Sequence, residues 1–146
     1  MTIANQQDVI DYLGINGDVA LAQMTDPDGV SINSTLVAKF LSRADDETYS
    51  YLATTALTVP LTAPYPTLLV KIAAIIATYW MWAGDARPDR LEKDYKWATG
   101  MLADFRSGKQ SLGLVADGSG PAEQVENLVE FVSSDAVFSR DAMESY

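Results

Sequence analysis

Cysteine and histidine are both missing from this chain of 146 residues. Without cysteine there is no disulfide, no thiolate nucleophile and no cysteine metal site. Without histidine the chain lacks the commonest general base and the commonest transition-metal ligand. Basic residues are missing from residues 1–32, which hold five acids, and are scarce in residues 109–146, where seven acids meet two bases. Residues 33–108 carry eight of each sign, so the net charge of −10 belongs to the two ends. Ends of this sign repel nucleic acid. They suit a basic protein surface, or a passage that DNA crosses without sticking. A basic, apolar leader with a small-residue cleavage site is also missing, so the expectation is a protein made and kept in a cytoplasm until it is assembled.

Apolar residues are plentiful, at 48% of the chain, enough for a core in one folded unit. They concentrate in Pro66 to Trp82, PTLLVKIAAIIATYWMW. Pro66 fits the first helical turn, where its missing N–H is not needed. Leu69, Ile72, Ala73, Ile76, Ala77 and Trp80 recur at helical spacing, and Leu68, Ile75, Tyr79 and Met81 carry the apolar surface around the rest. A helix apolar on nearly all sides belongs at the centre of a bundle or in a membrane. A span needs about 20 apolar residues; this run is shorter and contains Lys71, so no membrane is expected.

The other segments are arranged around that helix. Asn5 as N-cap with Asp8 at the third helical position is a capping box, and Gly14 ends the short helix that follows. Asp18 to Met24 predicts one more helical turn, with Val19, Leu21 and Met24 inward. Asp26-Pro27-Asp28-Gly29 is a turn. Its carboxylates partly resemble a calcium loop, but the twelfth position is Val37 where a bidentate Glu is required, so no metal is placed there. Ser34 is the expected cap of a helix from about Thr35 to Ala53, with Val37, Phe40, Leu41, Ala44, Thr48, Tyr51 and Leu52 as its buried stripe. The prolines of Leu57 to Tyr65 stop that helix and favour an ordered, extended connector. The central helix ends near Ala83-Gly84, and Asp85 to Pro88 makes a loop. A further helix runs from Asp89 to about Ser107, with Leu91, Tyr95, Ala98, Leu102 and Phe105 inward. The fold class is therefore mainly α: a small bundle of about four helices around a central apolar helix. Residues 1–108 form its core, and residues 109–146 form a linker and C-terminal docking arm. Ala116 to Pro121 is flexible by composition, and Glu123 to Val132 reads as a weak helix or a short strand or hairpin. Leu128, Val132, Val137, Phe138, Arg140 and Tyr146 are the candidate docking residues, because apolar side chains so far from the core cost solubility unless a partner covers them.

Two chemical readings compete with an assembly role. Asp45, Asp46 and Glu47, or Asp104, are candidates for metal-assisted hydrolysis. Neighbouring helical residues diverge, however, and Lys39 and Arg43 lie within pairing distance, which favours a solvated face. Trp80, Trp82 and Trp97 are candidates to stack as a ligand or peptide site, against the simpler role of core packing. No catalytic, cofactor-binding or metal-ligating residue is assigned.

Segment order supplies the rest. QQDVIDYLG (Gln6–Gly14), LAQMTDPDG (Leu21–Gly29), ADDETYSYL (Ala44–Leu52), VPL (Val59–Leu61), SGKQSLGL (Ser107–Leu114) and VFSRD (Val137–Asp141) follow one another in a spacing that resembles the small Mu-like tailed-phage proteins long filed as a domain of unknown function. Members of that group often carry a longer acidic turn where this chain has DPDG. The resemblance implies a head–tail adaptor of the virion neck. It implies a ring, a dodecamer, beneath the portal protein that extends the DNA channel and docks the next neck or tail protein, with arms that grip neighbours. It implies no enzyme, no cofactor and no specific DNA binding. Asp8, Asp11, Asp18, Asp26 and Asp28 are the candidate channel-facing acids, since no Lys or Arg accompanies them in residues 1–32.

Overall fold

A computed structural model describes residues 1–82 and 87–114. Within them five helices follow in order: α1 (Gln6–Leu13), α2 (Gly17–Thr25), α3 (Ser34–Leu52), α4 (Thr67–Met81) and α5 (Asp89–Arg106). The expected end of the central helix at Ala83-Gly84 lies outside the described residues, as do Asp85 and Ala86 of the Asp85–Pro88 loop. So do the linker at Ala116–Pro121, the expected strand or hairpin, and the docking residues Leu128, Val132, Val137, Phe138, Arg140 and Tyr146. The mainly helical bundle predicted from the sequence is what the described residues form.

α4 is the hub, packed against α1, α3 and α5. Its residues Ile72 to Thr78 are buried without a break, together with Leu69 and Met81. A run of small and branched side chains lets three neighbours approach one helix, and burial of each large aliphatic contributes about 1.5–3 kcal/mol. Lys71 is the exposed gap in that surface. No described helix is long and apolar enough to cross a membrane. Pro66 stands one position earlier than expected: it is the N-cap, and its carbonyl accepts from the N–H groups of Leu69 and Val70.

The N-terminal helices are fixed by local hydrogen bonds. The Asn5–Asp8 capping box is present on both sides: Asn5 Oδ1 accepts from Gln7 N and Asp8 N, and Asp8 Oδ2 accepts from Asn5 N at 2.7 Å. The single turn expected at Asp18–Met24 is a nine-residue helix, and it accounts for the fifth element. Its start is tight. Asn16 takes a left-handed φ of 62°, and Gly17 lies so close to α1 that a Cβ there would meet the Ile10 carbonyl oxygen. Leu21 is buried and Met24 packs on the core as expected, but Val19 is 48% exposed. α2 shows its inner face to α1 through Gly17, Leu21 and Thr25, and this register turns Val19 outward.

Asp26 organises the following turn. Its carboxylate accepts from Asp28 N, Val30 N, Ser31 N and Ser31 Oγ, and these backbone donors hold it below the usual carboxylate range. Asn33, not Ser34, caps α3 by accepting from Leu36 N; Ser34 begins the helix and donates to Gln6 Oε1. Asn33 N in turn donates to Thr25 Oγ1, which ties the end of α2 to the start of α3. The proline connector is ordered on the body: Leu61 is buried, and Leu57, Val59 and Tyr65 pack on the core, with cis bonds at Val59-Pro60 and Ala63-Pro64. α5 presents Leu91, Ala98, Leu102 and Phe105 inward as predicted, with Tyr95 half-buried. Leu112 and Leu114 also pack on the core.

Candidate functional site

The acidic cluster of α3 does not form the solvated face expected of it. Asp45 is buried, and both of its oxygens accept from Ile3 N, at 3.1 and 3.2 Å. Burial, reinforced by neighbouring Asp46, pushes its carboxyl up to about 6. Glu47 is spent on aromatic donors: Trp80 Nε1 donates to one oxygen at 2.8 Å and the Tyr95 hydroxyl to the other at 2.6 Å. Burial and the Glu47 charge both raise the Tyr95 phenol above its ordinary value. Arg43 lies 3.8 Å over the Trp80 ring rather than beside a carboxylate. The ion pairs among the described residues are Arg90–Asp94 and Lys109–Asp104. Periodicity in α3 placed these acids correctly on the helix, but it did not show that α4 and α5 would bring an indole and a phenol to meet them. Among the described residues no group of three or more acids converges to hold a metal ion.

The three tryptophans are likewise separated. Trp80 lies edge-on to Tyr79 and Tyr95, and those two rings stack at 3.8 Å. Trp97 is 41% exposed with Lys71 Nζ 5.2 Å over its ring. Trp82 stands apart at the end of α4. No ring contact joins any two of the three: Trp80 meets Tyr79 and Tyr95 from within α4, whereas Trp82 lies just past its end as the extended C-cap.

Trp82 belongs to a cleft of about 430 Å³ that opens between four helices. Tyr12 and Leu13 come from α1, and Ala20, Gln23 and Met24 from α2. Thr78 and Trp82 come from the end of α4, and Pro88, Arg90 and Leu91 from the start of α5. Its lining is mostly apolar. The Trp82 indole Nε1 is itself buried and has no hydrogen-bond partner among the described residues. Next to it lies a second depression of about 500 Å³, lined by Asp11, Lys71, Ile75, Asp94 and Trp97, with Tyr12 and Arg90 common to both. The wall between them is a bonded unit: the Tyr12 hydroxyl donates to Asp94 Oδ2 at 2.6 Å, and Arg90 Nε lies 3.6 Å from the same oxygen. Burial, then this bond, raises the Tyr12 phenol well above its ordinary value. The charged groups at the two depressions balance, Arg90 and Lys71 against Asp94 and Asp11, and the cleft itself is mostly apolar. Tyr12 and Arg90 lie too far apart in the chain for any local signal to have joined them.

A family model described as "Bacteriophage Mu, Gp36" matches residues 4–131. The chain belongs to this bacteriophage Mu Gp36 family. The match takes in all five helices and runs past Leu114, so the Gp36 family pattern includes chain beyond the described body. No curated protein matches the chain. Of the candidate channel-facing acids, Asp11, Asp18 and Asp28 are exposed, whereas Asp8 is held in the α1 cap and Asp26 in its own turn.

Proposed function

We propose that the protein is a structural component of a tailed-phage virion. It is a head–tail adaptor that assembles as a dodecameric ring beneath the portal, extends the DNA channel, and receives the next neck or tail protein. The observation that carries this reading is the Gp36 family match over residues 4–131, joined to the order of sequence segments. Charge supports it. The acids of residues 1–32 have no basic companion, and an anionic wall lowers the adhesion of passing DNA. Asp11, Asp18 and Asp28 are the exposed members of that set and line the channel in this reading, Asp11 while accepting from Gln7 Nε2, with Asp8 and Asp26 adding to the same field. The role is one of docking rather than catalysis, and the C-terminal residues from 109 onward, which first pack on the body at Leu112 and Leu114, serve as its arm.

Electron microscopy of the purified protein, alone and mixed with portal protein from the same phage, tests this. Rings seated coaxially on the portal are the expected result. A protein that neither forms rings nor joins the portal, and that antibody labelling does not find in purified virions, overturns it.

A further inference from the structure

We propose that Asn16-Gly17, at the corner between α1 and α2, is a self-modification site: the fold holds the pair unreactive, and it converts to aspartyl or isoaspartyl when the corner opens. The reaction needs only water and is independent of any role in a virion.

The chain contains a single Asn-Gly pair, at this corner. Three asparagines lie among the described residues, and they differ in how they are held. Asn5 and Asn33 accept from backbone N–H groups as helix caps and are followed by Gln6 and Ser34. Asn16 is exposed, and its side chain makes no cap bond to α2. Its amide carbon is therefore open to the next backbone nitrogen, and glycine there has no side chain to block the approach. In that attack a bond forms between Gly17 N and Asn16 Cγ. The Cγ–Nδ2 bond breaks, and Nδ2 leaves as ammonia with the Gly17 amide proton. Water then opens the cyclic imide. Opening at Cγ gives aspartate. Opening at the main-chain carbonyl gives isoaspartate, whose backbone runs through Cγ and is one carbon longer. Either product adds one negative charge.

The folded corner withholds this reaction. Ring closure requires Asn16 Cβ and Gly17 N to eclipse one another across the Cα–C bond. Asn16 is left-handed, at φ 62° and ψ 28°, which turns the two apart. Gly17 N also donates to the Gly14 carbonyl at 2.8 Å, and Gly17 is buried against the Ile10 carbonyl. Turning Gly17 N toward the side chain breaks that bond and lifts α2 from α1. The observed rate is then the intrinsic rate multiplied by the fraction of chains locally open. The isoaspartyl branch is one-way. An extra backbone carbon displaces Gly17 from both the Gly14 and Ile10 carbonyls, so α2 cannot return to its seat. Ala20, Gln23 and Met24 of α2 form one wall of the Trp82 cleft, which opens with it.

The test ages the full chain at mildly alkaline pH, folded and in guanidinium chloride, beside a free peptide of residues 13–21. Mass spectrometry and isoaspartyl methylation follow residue 16. Product is expected to form at least about ten-fold more slowly in the folded chain than in either reference. Equal rates in the folded chain and the peptide overturn the proposal. The isoaspartyl form, separated from aged protein, is expected to melt below Asn16→Asp, which carries the same charge on a backbone of normal length. An isoaspartyl form that melts with Asn16→Asp overturns the one-way step.

Discussion

Glu47 shows how much depends on a single carboxylate. It sits on α3, yet it accepts from an indole on α4 and a phenol on α5, so one side chain ties three helices. Removing it strands two half-buried donors, each costing about 1–3 kcal/mol. Glu47→Ala is therefore expected to lower unfolding free energy by about 2–4 kcal/mol in a urea titration. Glu47→Gln, which keeps one acceptor oxygen, is expected to lose less than half of that. Asp45 acts in the opposite sense. Its folded-state value of about 6 lies above the ordinary 3.8, so the fold prefers the protonated carboxyl. The stability this supplies is complete below the unfolded value and is lost as pH rises through about 6. Stability is thus expected to fall from pH 4 to pH 7 by no more than about 3 kcal/mol from this group. Asp45→Asn, which still accepts from Ile3 N, flattens that slope; an unchanged pH profile in the variant would remove Asp45 as its source.

Helix packing reverses one familiar substitution. Gly to Ala inside a helix ordinarily stabilises by about 0.5–1 kcal/mol. Gly17 starts α2 against the Ile10 carbonyl of α1, and a Cβ there has no room. Gly17→Ala is expected to destabilise by about 1–3 kcal/mol, seen as a lower thermal midpoint. Gly100→Ala on α5, where a Cβ meets open space, raises it. The sign difference between two helical glycines measures the closeness of the α1–α2 contact and nothing intrinsic to either helix. α4 behaves as its sequence predicts, since a helix buried on almost every side has few alternatives to a central position.

In the role proposed above, the work of the molecule divides between a helical body and a C-terminal segment. α5 closes the body, and Leu112 and Leu114 still pack on it. A chain ending at Leu114 is therefore expected to keep its helical circular dichroism and a thermal midpoint close to that of the full chain. If the protein assembles as proposed, the shortened chain is also expected to lose that assembly in light scattering. A shortened chain that assembles as well as the full one would show that the arm is not the connector.

Sequence alone determined the elements and the hub. Helical spacing in Pro66 to Trp82, the Asn5–Asp8 box and the turn at Asp26–Gly29 are local patterns, and each is enforced by groups within a few residues. The order of short segments also pointed to the phage family, and the match over residues 4–131 agrees. Tertiary structure decided the fate of side chains whose partners are distant in the chain. Asp45 found Ile3, Glu47 found Trp80 and Tyr95, and Tyr12 found Asp94. The three tryptophans were sent to three separate environments, and a cleft appeared where four helices meet. The physical reason is one of range. Backbone geometry repeats every few residues and can be read along the chain, whereas a hydrogen bond between helices exists only after packing has set the distance and angle between them.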